Sequence, residues 1–130
     1  MTPRSAWPAL VLALAVLAPL PLPHPPAAAL PDFDALEQQG ASRTRAANLA
    51  RMRAERLNGG LELYRADGCM HERGGGSCFV GADDRGLLFR FLGGPPGWQQ
   101  LGLAASRETE ILVAPDGRSV LEVIYNGAPR

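Results

Sequence analysis

Two hydrophobic patterns divide the chain. Between Leu30 and Leu57 apolar residues recur at helical spacing, whereas from Leu61 onward they fall into short runs separated by Gly, Pro and Asp. The first pattern predicts a helical segment over 30–60. Asp34-Ala35-Leu36-Glu37 fits a capping box, with Asp34 as N-cap and Glu37 three residues on. Gly40 is expected to weaken the middle, with Ser42 able to start a second helix. Asn58-Gly59-Gly60 is a helix stop, because Gly adopts the left-handed conformation at little cost. Ala46, Leu49, Ala50, Ala54 and Leu57 share one arc of the wheel, with Arg43 and Arg53 intruding. A stripe this thin suits close approach to a sheet but is marginal alone.

The second pattern predicts strands at 61–66, 78–81, 87–92, 98–103, 108–114 and 119–125. Turn signals lie between them: Asp83-Asp84-Arg85-Gly86, Gly93-Gly94-Pro95-Pro96-Gly97 and Pro115-Asp116-Gly117. Strands joined by short loops form an antiparallel meander. The expected fold is α+β, an N-terminal helix (broken near Gly40) packed on five to six short strands, with 30–60 and 61–130 forming one domain. For the final hairpin, a three-residue Pro115–Gly117 loop with a bulge pairs Ile111 with Leu121 and Thr109 with Val123. That register separates apolar from charged positions better than a two-residue Asp116-Gly117 loop. Its defect is Glu110 opposite Glu122, which a neighbouring Arg90 would relieve.

Residues 1–29 follow neither pattern. Arg4 precedes an apolar stretch, Trp7 to Ala18, interrupted only by Pro8, and Pro19, Pro21 and Pro23 end it before the ~20 residues that a membrane-spanning helix needs. Small residues at Ala27 and Ala29 match the pattern cleaved by a signal peptidase. Residues 1–29 are therefore expected to be a cleaved export signal, the alternative being an uncleaved anchor. The mature chain would be Leu30–Arg130, periplasmic or secreted, touching a membrane only through the signal.

Composition narrows the function further. The 130 residues carry 13 cations, every one of them Arg, against 13 acids. That balance lacks the basic excess that counterion release on nucleic acid requires, and Arg without Lys is the usage of a GC-rich bacterial genome. The length allows one domain. Five Arg and one Glu between Ala41 and Leu57 could meet an acidic partner or form a solvated helix face.

Cys69 and Cys78 are the two cysteines, and in an exported chain they are expected to form one disulfide. The segment between them, Met70–Ser77, reads as a slack excursion between strands, and its closure is worth about 2.5–3 kcal/mol on the chain-entropy account. Gly74-Gly75-Gly76-Ser77 lacks the Lys and following helix of a phosphate loop. Alternatively, Cys69 and His71 on one strand face, with Cys78, could ligate a thiophilic metal, though the spacing is not an established zinc pattern. Glu110 and Glu122, if paired, could act as general acid and base in a small hydrolase. Trp98 leaves a rigid turn, where it serves either the core or an interface.

The leading expectation is a small exported binding module without catalysis or cofactor. Its partner would be a protein or polysaccharide of the cell envelope. The candidate contact residues are His71, Glu72, Arg73 and Trp98. A metal-binding or thiol protein using Cys69, His71 and Cys78 is the first alternative, and the Glu110/Glu122 hydrolase is the second.

Overall fold

The computed structural model describes residues 1–4, 18–24, 27 and 29–130. The apolar run from Trp7 to Leu17 and part of the expected cleavage region (Pro25, Pro26 and Ala28) lie outside the described residues. Residues 1–30 and 31–130 form separate units. The described residues of the first unit carry no helix or strand. No described helix is long and apolar enough to cross a membrane.

The second unit has the α+β fold expected from the pattern. A single helix, α1 (Phe33–Leu57), packs on a five-stranded antiparallel sheet made of β1 (Arg65–Ala66), β2 (Phe79–Ala82), β3 (Leu87–Gly94), β4 (Arg107–Val113) and β5 (Val120–Gly127). The helix is unbroken at Gly40 and starts earlier than expected. Asp32, not Asp34, is the N-cap, and its carboxylate accepts from the Asp34 amide at 3.1 Å. One interior glycine costs a helix only about 1 kcal/mol, too little to split 25 residues that are packed over half their length. The stop at Asn58 is as expected. Its amide group donates to Ala54 O and also exchanges hydrogen bonds with Asn126 of β5, fastening the helix end to the sheet.

The helix lies close because its buried face is almost all alanine. Ala46, Ala47, Ala50 and Ala54 are fully buried against a core containing Tyr64, Met70, Phe89, Phe91, Ile111 and Val113. Leu49 packs at the edge of this core and Leu57 is exposed. The order β1-β3-β4-β5 leaves β1 and β2 sharing one edge of β3, with β2 to β5 forming the meander.

Three local expectations are corrected. Residues 61–64 form turns, so only Arg65 and Ala66 pair as a strand. The segment 98–103 is a series of turns rather than a strand: Leu101 donates to Gly97 O and Leu103 to Trp98 O, and Gly102 sits at φ +66°, in the left-handed region that ends an extended run. In the last hairpin Ala114 pairs with Ser119 around a four-residue turn. Two register shifts follow, so that Ile111 faces Val123, Glu110 faces Tyr125 and Leu112 faces Glu122. Each shift inserts one extra residue into β5, which no single hairpin register reproduces. Thr109, Ile111 and Val113 still face the core, as expected, but Leu121 does not and is exposed.

Candidate binding cleft

The turn that holds the first cysteine lines one side of the cleft, through Gly68 and His71. Asp67 accepts from the Cys69 amide at 3.0 Å and starts a 3-10 turn, Gly68–His71, followed by a second, Arg73–Cys78. Cys69 and Cys78 form the expected disulfide across a Cα–Cα distance of 5.8 Å. The loop it closes is not slack. Gly74, Gly75 and Gly76 turn at φ +70°, +81° and +45°, and Gly74 and Gly75 are buried. Only glycine fits here without strain, and a Cβ on Gly75 would lie 2.8 Å from Phe89 and 3.3 Å from Ala47. Arg43, which looked like an intruder on the apolar arc, reaches over from α1. Its Nε donates to Gly74 O at 2.8 Å, and its guanidinium lies 4.0 Å from the centre of the Phe79 ring.

Trp98 builds the opposite wall. It follows Pro95-Pro96-Gly97 in a tight turn and is 8% exposed, so its main role is in packing. Its indole N–H donates to Arg65 O at 3.1 Å, and the next residue, Gln99, accepts from the Gly68 amide at 3.0 Å through Oε1. The Gln99 bond ties the two walls together. Between them lies an open cleft of about 430 Å³, lined by Arg65, Gly68, His71, Pro96, Trp98 and Gln100 among others.

Of the four residues expected to make contact, the fold brings His71 and Trp98 together in this cleft and leaves Glu72 and Arg73 outside it. Glu72 is exposed and lies against Gly76, while Arg73 lines a separate depression with Gly40, Arg43 and Thr44. Arg65, Gln99 and Gln100 were not singled out from sequence. Gln99 and Gln100 had one signal, their place just after Trp98, and Arg65 had none beyond lying in a segment read as a strand.

The metal expectation for Cys69, His71 and Cys78 is corrected on geometry. The two cysteines lie in turns rather than on a strand, so alternation does not put His71 beside Cys69. Among the described residues, the ligand atom grouped with the two sulfurs within 4.8 Å is a carboxylate oxygen of Asp67, not the His71 ring. Both sulfurs are bonded to each other, whereas a metal binds the thiolate.

The carboxylate pair is corrected too. Glu122 is exposed opposite Leu112, whereas Glu110 lies among arginines on the sheet face away from α1. Arg90 donates to Glu110 at 3.2 Å, the neighbour foreseen for it, and Arg130 bridges Glu108 at 2.8 Å and Glu110 at 2.9 Å. The Arg130 backbone N–H, then its guanidinium, hold the Glu108 carboxyl below its usual range. Arg90 first, then Arg130, do the same for Glu110. A general acid needs the opposite shift. Both arginines are about half exposed (51% and 48%), so these ion pairs meet solvent and are screened.

Comparison with known protein families, with curated proteins and with solved structures finds no match to this chain.

Proposed function

We propose that the chain is a small exported binding module that acts by contact rather than by chemistry, in the periplasm or outside the cell, on a protein or polysaccharide of the envelope. The observation that carries this reading is the cleft itself. The Gly68–His71 turn, anchored by the Cys69–Cys78 disulfide, and a Pro-Pro-Gly-Trp turn, distant in sequence, are joined by the Gln99–Gly68 hydrogen bond and bring His71 and Trp98 into one cleft. Walls fixed before binding lose less conformational freedom on binding, so modest contacts suffice for affinity. The disulfide suits an oxidising compartment, and the apolar, Pro-flanked segment ending at Ala29 has the form of an export signal.

The test is retention of envelope polysaccharide and envelope protein fractions on the immobilised exported protein, compared with a His71→Ala/Gln100→Ala variant. Both side chains are exposed, so the fold should survive their removal. Loss of the retained material in the variant supports the reading. Equal retention by both proteins overturns the cleft as the contact surface.

A further inference from the structure

The side chains lining the cleft offer donors and positive charge, and no acid lies among them. Arg65 and His71 are its ionisable lining residues, and Gln99 and Gln100 add neutral amides. Arg65 donates Nε to Leu61 O at 3.2 Å, and among the described residues its two Nη groups have no protein acceptor and no carboxylate partner. Gln99 must present Oε1 to the Gly68 N–H, which fixes its amide orientation and leaves its NH2 group as the free end. Two acids adjoin lining residues in sequence: Asp67 has its carboxylate turned to the Cys69 amide, and Glu72, next to His71, lies against Gly76 and outside the lining. Pro96, Ala66 and the edge of Trp98 supply the apolar part of the lining. A planar guanidinium with two free N–H faces matches a carboxylate in a forked pair. Imidazole and amide groups match hydroxyls, and an apolar rim matches the C–H face of a sugar ring. The cleft volume of about 430 Å³ falls within the range of small-ligand sites.

We propose that the cleft takes a uronate, the carboxylate-bearing sugar unit of an acidic polysaccharide. Arg65 holds the carboxylate, His71 and Gln100 the ring hydroxyls, and Pro96 with the Trp98 edge the apolar face. This rests on the binding-module reading and narrows its partner.

The test titrates the 15N-labelled exported protein with trigalacturonate, with a neutral trisaccharide and with triglutamate, following the Gly68 amide, the Gln100 side chain and the Trp98 indole. Trigalacturonate should shift all three signals, and Arg65→Gln should weaken its binding at least tenfold with the rest of the spectrum unchanged. Equal binding of the neutral sugar, or an Arg65→Gln variant that binds as wild type, overturns the uronate assignment. Equal binding of triglutamate overturns the sugar in favour of an acidic peptide. If no trigalacturonate response is seen while His71→Ala/Gln100→Ala still abolishes envelope retention, only the uronate assignment falls. If that retention is also unaffected, the cleft falls as the contact surface as well.

Discussion

Replacing Gly75 by Ala adds one methyl group at the point where the disulfide-closed turn meets both layers of the fold. Two costs follow from the geometry. Gly75 sits at φ +81°, where an L-residue is disfavoured by about 1–2 kcal/mol. The new Cβ would also lie 2.8 Å from Phe89 Cε1 and 3.3 Å from Ala47 Cβ. Phe89 is fully buried between helix and sheet and cannot swing into solvent, so overpacking adds about 1–3 kcal/mol. The sum, about 2–5 kcal/mol, is a large part of the stability of a domain this size. Urea unfolding with a melting-temperature check reads it directly, with an expected loss of about 10 °C or more. Gly40→Ala is the internal control. No atom lies within 4 Å of its added methyl in mid-helix, so the same chemical change should stabilise by about 0.5–1 kcal/mol. A Gly75→Ala protein within about 0.5 kcal/mol of wild type would refute the wedged turn and restore a slack loop.

Two further outcomes are expected. Cys69→Ser/Cys78→Ser, which opens a loop with a sequence separation of 9, should lower unfolding stability by about 2.5–3 kcal/mol; an unchanged urea midpoint would contradict it. The depressed Glu108 and Glu110 carboxyls contribute stability that is fully present above the ordinary glutamate value of 4.5 and is lost as pH falls through their lower folded values. Arg130→Ala should therefore cost more at pH 6 than at pH 3 when melting temperatures are compared, and a difference independent of pH would contradict the assignment.

The helix, the sheet and the disulfide were legible because each has a local cause. Alanines at helical spacing, Asn58-Gly59-Gly60, Gly and Pro between apolar runs and two cysteines in one short segment all act within a few residues. What was missed depends on partners distant in sequence. The Gly74–Gly76 run reads as slack until Phe89, Ala47 and Arg43 close around it. The hairpin register depends on two bulges in β5 that place Tyr125, not Glu122, opposite Glu110. The short run holding Trp98, Leu101 and Leu103 reads as a strand, yet only Trp98 is buried, because the chain coils there. Half of the expected contact set, His71 and Trp98, meets in the cleft. Glu72 and Arg73 turn away because the chain changes direction between the two 3-10 turns, a step that residue spacing along a strand does not encode.

The proposed function needs an exported chain and an oxidised Cys69–Cys78 bond beside the turn that carries His71. The intact mass of the protein from the cytoplasmic and the extracytoplasmic fractions, each alkylated without reductant, tests both parts at once. A chain beginning at Leu30 with neither cysteine alkylated is the predicted result. A chain retained in the cytoplasm with residues 1–29 attached and both cysteines alkylated would contradict it.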